Sequence, residues 1–487
     1  MKTFPALLLS TLLFVACSNE KYLAKVTTTT LPSTALSQEQ IQKDVEFYIR
    51  TAENSVPFLY QRSSKAYVDS IATVIKQHEQ LSPLAFYENF LRLQGAFDIN
   101  HFYSRFPRDL FRKELREKEE GLFPYLCRLN DTLLTTEKSY LPAAERKVGY
   151  TLMSINGLDA DSLFSSYYQY SGGSVPSKHQ DVHYNFPTYL WLNDIRAPFT
   201  LQMRDSTGQS FSHETAGYIF PEKREQSNQA PTETFDDIVQ YQLLENGTAY
   251  IKVSQLWGFS ADEMKQFLAS TFADIKDQGA ENLIVDLRGN PGGNDRLGLL
   301  LLDYFAQKPY RLYGSQYRKI SKEYNRFFRK GSSMSWLIRQ IPYGGGIKLL
   351  FHKYPEEAKV YTNVKPGTTP KLIEIEENPL RFTGNTYLVA DNGTYSSAVS
   401  ITNAVEDFDL ATLIGEYTGG IPNELAEVMY MKLPNSGISF VLATTYYVRA
   451  NGDKDNPNPC QPDIYIPQAE LDRMSAEDLA AFIQGLK

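Results

Sequence analysis

From residue 37 onward, apolar and polar positions alternate in three successive rhythms. Ser37 opens "SQEQ", a capping-box pattern with Gln40 in the fourth position, and Ile41, Val45 and Ile49 follow at helical spacing. "AYVDSIATVIKQHEQ" and "LAFYENFLRLQ" keep the same amphipathic spacing, which predicts a helical domain over 37–118. From 119 to 225 the period shortens. "LFPYLCRLNDTLLTT", "KVGYTLMSINGLDADSLF" and "PFTLQMRDSTGQSF" predict short strands with turns, and one helix after Ile155-Asn156-Gly157. Over 226–487 strands and helices alternate, which predicts an α/β layered unit. "TAYIKVSQLW", "NLIVDL", "NTYLVAD" and "ATLIGEYTGG" are its strands, and "SADEMKQFLASTFADIKDQGA" is a helix stopped by Gly279. Within it, Pro309 to Asn378 reads as a less regular insertion or lid.

Composition changes this picture little. The 487 residues suffice for several domains, and 42% hydrophobic with 22% charged residues is ordinary for a globular chain. A net charge of −8 without a basic block argues against nucleic acid as a partner. The N-terminus does add something. Lys2 precedes an apolar stretch, Leu7 to Val15, too short for a permanent membrane span, and the stretch ends at Ala16-Cys17. "FVAC" resembles a bacterial lipobox, which implies a signal peptide over 1–16, a lipid on Cys17 and a polar, Thr-rich tether over 17–36. Exported in this way, the chain would sit in the cell envelope, on the outer membrane, held by its lipid. Cys127 and Cys460 leave two states open, a disulfide or two buried thiols.

Two turns are candidates for chemistry. "LIVDLRGNPGGND" drives a buried strand into a glycine-rich turn, and ligands in open α/β sheets sit at such strand ends. Gly292 and Gly293 leave backbone N–H groups uncovered, as an anion-binding turn requires. No Gly-Lys-Ser/Thr follows, which disfavours a phosphate loop. "YLVADNGTYSSAVSI" repeats the strand–turn–helix pattern with serines at the helix start. There a serine is either an N-cap or a nucleophile whose developing anion the helix dipole favours.

"LIVDLRGNPGGN", "YLVADNGTYSSAVSITNAVE", "LIGEYTGG" and "QPDIYIP" resemble, in the same order, the serine peptidases related to tail-specific (C-terminal processing) proteases and tricorn protease. The resemblance is close over about 245–467 and loose in the N-terminal half. It implies a crotonase-like α/β core of β-β-α units, with an N-terminal helical domain and a PDZ-like module attached. By motif it implies Ser397 as nucleophile, with Ser396 as the neighbouring rival. The N–H groups of Ala398 and Gly292, or Gly293 if the turn is shifted, would form the oxyanion hole. Ser400 stands where many relatives carry a glutamate.

The base is where relatives divide. One branch takes a lysine from "G-E-x-T-x-G-K"; this chain reads "GEYTGGIPNE", with Ile421 in that place, and Lys432 lies too far along. The tricorn-like branch takes a histidine from the N-terminal helical domain. Of six histidines, His101 in "GAFDINHFYSRF" has the matching position, with His183 and His179 as rivals. An imidazole near its ordinary pKa of about 6.5 suits proton transfer at neutral pH. The resemblance further implies a group that orients the histidine, for which Asp455 or Asp453, bridged by Asn100, are the candidates.

The expected activity is a serine-type peptidase acting on peptides or unstructured protein segments, with no metal and no cofactor. Two other classes share the fold: a catalytically inactive ligand- or peptide-binding protein, and an acyl-CoA enzyme, which export from the cytosol disfavours. Oligomeric state is not legible.

Overall fold

The computed structural model describes residues 23–130, 133–219, 233–331, 360–362 and 371–486. Cys17, the expected signal peptide and about half of the expected 309–378 insertion lie outside them.

The N-terminal helices are α1 (Gln38–Ser55), α2 (Lys65–Lys76), α3 (Pro83–Gly95) and α4 (Arg108–Glu117). The Ser37–Gln40 capping box closes as the sequence suggests, Gln40 N–H reaching Ser37 Oγ at 3.4 Å and Ser37 N–H reaching Gln40 Oε1 at 3.0 Å. Ile41, Val45 and Tyr48 on one face of α1 are fully buried. The Tyr48 ring meets Phe90 at 4.8 Å and Phe440 at 5.1 Å, both edge-on. Such pairs are worth about 0.5–1.5 kcal/mol each beyond burial. Phe440 belongs to the C-terminal half of the chain, so the helices and that half share one apolar cluster. Asp44, buried on α1, strengthens the link by accepting the N–H groups of Asn435 and Ser436 at 2.9 and 2.7 Å. After α3 the chain runs through His101 into a short strand, β1 (Tyr103–Ser104), which pairs with Val441 and Phe440.

The middle segment forms an antiparallel sheet in the order β2 (Tyr125–Asn130), β3 (Leu133–Ser139), β4 (Thr151–Ile155), β5 (Phe199–Arg204) and β6 (Ser210–Thr215). Asn156 and Gly157, at φ 50° and 81°, turn the chain toward α5 (Ala160–Ser166). The sequence reading of a single helix here misses a second, α6 (Val175–Leu192), which contains Pro187 and "HQDVHYNF". Its low amphipathicity hid it: the helix is covered on several sides, against β2 and α3.

The third part carries a six-stranded sheet ordered β7 (Val239–Leu243), β8 (Thr248–Val253), β9 (Asn282–Asp286), β12 (Asn385–Ala390), β13 (Thr412–Gly415) and β16 (Ile464–Tyr465), parallel from β8 onward. A second sheet holds β10 (Ser315–Lys319), β11 (Val360–Thr362), β14 (Glu424–Lys432) and β15 (Ser439–Val448), and β1 joins it alongside β15. Helices α7 (Ala261–Asp277), α8 (Asp295–Leu302) and α9 (Ser397–Phe408) cover the parallel sheet. Cys127 on β2 and Cys460 beside α9 are each buried and free, so the disulfide left open by the sequence is not formed.

Candidate active site

Strands β9 and β12 are parallel neighbours, so the turns that follow them lie side by side. Hydrogen bonds join the two: Gly289 N–H reaches Asp391 Oδ1 at 2.8 Å, and Tyr395 N–H reaches the Asn290 carbonyl at 2.9 Å. Burial holds the Asp391 carboxyl above its usual range, partly offset by the donors of Gly289, Gln468 and Gly393. Gly292 must be glycine. At φ +93°, a Cβ there would come within 2.7 Å of Ser396 Cβ, Ser397 N and the Tyr395 carbonyl. At Gly293, φ +136°, an added Cβ would come still closer, 2.2 Å from the Leu256 carbonyl oxygen.

The two serines differ sharply. Ser397 is the first residue of α9 and 6% exposed, and its hydroxyl donates to the Gly293 carbonyl at 2.8 Å. Ser396 precedes the helix at φ 50°, ψ −123°, a conformation L-residues rarely adopt, and its hydroxyl makes no capping bond. It is half-buried and lines a cavity of about 380 Å³ together with Ser397, Gly293, Ile421 and Glu424. A strained serine at a strand-to-helix turn is the geometry that exposes a nucleophile, and backbone strain of this kind concentrates at functional sites.

Backbone donors around the serines also separate. Gly292 N–H donates to Asn290 Oδ1 at 2.8 Å, and Ala398 N–H to the Tyr395 carbonyl at 3.0 Å. Among the described residues, the N–H groups of Gly293 and Ser397 have no hydrogen-bond partner.

His101 is half-buried where β1 joins the second sheet. Its Nδ1 lies 3.9 Å from Glu424 Oε2, and both atoms are buried without a hydrogen-bond partner among the described residues. A hydrogen bond with the Leu425 backbone holds the ring as well. Burial pushes His101 down to about 4, well below the ordinary value assumed from sequence, and pushes Glu424 up to about 8. Between those limits the pair is uncharged and carries its dissociable proton on Glu424. His101 itself does not line the serine cavity; Glu424 does. In this arrangement Ser397 faces Gly293, His101 faces Leu425 and Glu424, and the histidine bonds to neither serine.

Asn100 and Asp455 line one cavity with Glu424, although Asn100 Oδ1 takes its hydrogen bond from Ser177 at 2.5 Å. Asp453 and Asp455 are exposed, and Asp453 Oδ1 accepts the Asp455 N–H at 3.1 Å within their own loop. The other candidate histidines lie elsewhere. His183 Nδ1 is 2.9 Å from the Cys127 carbonyl, and His179 packs on the rings of Tyr168 and Phe164. Lys432 donates to Thr30 Oγ1 at 2.7 Å, eight residues along β14 from Glu424, or roughly 26 Å at about 3.3 Å per residue. Sequence reasoning passed over Glu424. Its one signal is a lone carboxylate three residues beyond Ile421, where a strand enters the core. No cluster of metal-ligating side chains occurs among the described residues.

Residues 247–466 match the model of Peptidase family S41. No curated protein matches the chain. Among solved structures, mature CPAF is similar over 92% of this chain and 96% of its own, at 12% identity and a TM-score of 0.60. Mature CPAF complexed with lactacystin is similar over 92% and 97%, at 12% identity and a TM-score of 0.59. These likenesses concern the fold, a mixed α/β architecture found in peptidases of this kind.

Proposed function

We propose, for a chain whose residues 247–466 belong to Peptidase family S41 and make it a serine-type peptidase of the tail-specific superfamily, that Ser396 is the nucleophile and His101 its general base. Sequence motif favours Ser397 by one residue; both serines line the cavity, but the hydroxyl of Ser397 is engaged by Gly293, whereas Ser396 is more exposed and makes no capping bond. The observation that carries the reading is Glu424. It lines the cavity of Ser396 and lies 3.9 Å from His101, so the serine turn and the N-terminal histidine converge on one carboxyl group.

In the reaction, His101 takes the hydroxyl proton as Ser396 Oγ bonds to the scissile carbonyl carbon. Catalytic hydrogen bonds of this kind are often long before substrate binds. The carbonyl oxygen becomes an anion facing the N–H groups of Gly293 and Ser397, with Gly292 shaping the turn between them. Collapse breaks the C–N bond, and His101 returns the proton to the leaving amine. Water then attacks the acyl-enzyme by the same route. Glu424, which keeps its own proton up to about pH 8, orients the imidazole from its Nδ1 side, the positional part of the role a third group plays in such sites. Asn100 and Asp455, on the far side of Glu424, support that wall.

A second reading follows from the cavity lining, since Glu424 reaches the cavity and His101 does not. Here Glu424, as the carboxylate it becomes near pH 8, takes the serine proton and His101 stands behind it. Labelling with a fluorophosphonate followed by peptide mass spectrometry tests the nucleophile, with adduct on Ser396 expected and adduct on Ser397 overturning the assignment. His101→Gln and Glu424→Gln then separate the two bases. Loss of about 1,000-fold or more in the first with a smaller loss in the second supports His101, and the reverse supports Glu424.

Substrates are read as peptides or unstructured protein segments. We read the parallel sheet and its helices as a crotonase-like core (226–487), the sheet of β2–β6 as a PDZ-like module (119–225), and α1–α4 as an N-terminal helical domain (37–118). Placement in the cell envelope rests on the "FVAC" segment and Cys17 alone. Mass spectrometry of membrane-extracted protein, with Cys17→Ser as the soluble control, tests it.

A further inference from the structure

Resting on the peptidase reading, we propose that Phe58, Tyr317 and Tyr446 form a subsite that takes a large apolar side chain of an extended peptide substrate. Three adjoining spaces carry the inference. The serine cavity shares Ile421 and Glu424 with a second cavity of about 240 Å³. That one shares Phe58, Leu59 and Tyr446 with an open groove of about 620 Å³, whose wall also includes Tyr317. The three adjoin in series through these shared walls, from the serine turn to the surface.

Phe58 stands at the outer end in an unusual state. It is 47% exposed and sits at φ 52°, so an aromatic side chain occupies a left-handed backbone position at a wet surface. Burial offers no reason for it, and glycine or asparagine would suit the backbone better. The ring is nevertheless placed edge-on to Tyr317 at 5.2 Å and to Tyr446 at 5.4 Å. Three aromatic rings thus line a groove that adjoins the cavity behind Glu424. Deeper in the path Arg62 pairs with Asp98 at 3.3 Å. Lys454 and Asp455, one of each sign, stand together on the outer wall, so the groove carries no net charge to select for, whereas an aromatic or leucine side chain would find ring edges and faces.

The test uses the full chain and internally quenched peptides that differ only by Phe, Leu, Ser or Asp at successive positions. At one position the wild type is expected to prefer Phe or Leu over Ser and Asp by at least tenfold in kcat/KM. Phe58→Ala should bring that ratio near one, mainly through KM. Phe58→Trp should keep it, and Val74→Ala, an exposed change on α2, should leave it as in the wild type. No apolar preference at any position, or a preference that survives Phe58→Ala, overturns the subsite. Fluorescence anisotropy of the same peptides on a Ser396→Ala/Ser397→Ala protein reads the groove without turnover. Apolar binding lost with Phe58→Ala there, alongside a wild type that neither hydrolyses peptide nor reacts with fluorophosphonate, would overturn the peptidase reading alone. Equal binding of Phe and Asp peptides would overturn the subsite alone.

Discussion

His101 Nδ1 and Glu424 Oε2 are buried atoms 3.9 Å apart, and among the described residues neither has a hydrogen-bond partner. An unpartnered polar atom in the interior costs about 1–3 kcal/mol, so two facing each other beside a serine cavity mark a site under functional constraint. Burial depresses the imidazole to about 4, which keeps it an acceptor across the neutral range.

The pH profile follows from that shift. A base must be neutral to accept a proton, so kcat/KM should rise with pH through about 4 and hold until Glu424 loses its proton near 8. A stopped assay in buffers from pH 3 to 9 measures it. A midpoint near 6.5 would mean that the histidine is solvated in the working enzyme.

Glu424→Gln should change stability in a pH-dependent way. The folded protein holds the Glu424 proton up to about 8, whereas the unfolded chain loses it near 4.5. Its contribution is therefore fully present below pH 4.5 and is lost as pH rises toward 8. Glutamine mimics the protonated acid at every pH. The variant should gain on the wild type as pH rises through that window, at about 1.4 kcal/mol per pKa unit as an upper guide. Thermal unfolding at pH 5 and 8 reads the difference. A constant offset would place the carboxylate in contact with solvent.

The two serines are separable by alanine. Ser396→Ala should lose activity by about 1,000-fold or more. Ser397→Ala removes only the hydroxyl that donates to Gly293, costs about 1 kcal/mol of stability, and keeps the backbone N–H in place. Its peptide hydrolysis should stay within about tenfold of the wild type. A dead Ser397→Ala beside an active Ser396→Ala would return the nucleophile to the residue favoured by motif.

Gly293→Ala tests the oxyanion turn. The new Cβ would lie 2.2 Å from the Leu256 carbonyl oxygen, so the turn must shift and its N–H with it. Turnover should fall about 100- to 1,000-fold, the usual loss of one donor. Activity equal to wild type would leave the turn a structural one.

Lys432→Ala should keep most activity, since that side chain bonds Thr30 at the far end of β14. A dead variant with normal thermal unfolding would revive a serine–lysine pair.

Local patterns along the chain were enough for the helices that begin at Ser37, for the parallel strands and for the two turns, because each rests on spacing within a few residues. "GNPGG" and "TYSSA" identify themselves through glycine and serine placed at strand ends. Helix α6 escaped notice because a helix covered on several sides has no polar stripe. Choosing between Ser396 and Ser397 needed the backbone angles, since both stand before a small residue and only one hydroxyl is engaged. Glu424 and His101 are 323 positions apart, and nothing in either neighbourhood announces the other. Pairing of β1 with β15, and the packing of Tyr48 on Phe440, bring them together. The depressed histidine and raised glutamate follow from that packing, because desolvation depends on what surrounds a group in space and not on its neighbours along the chain.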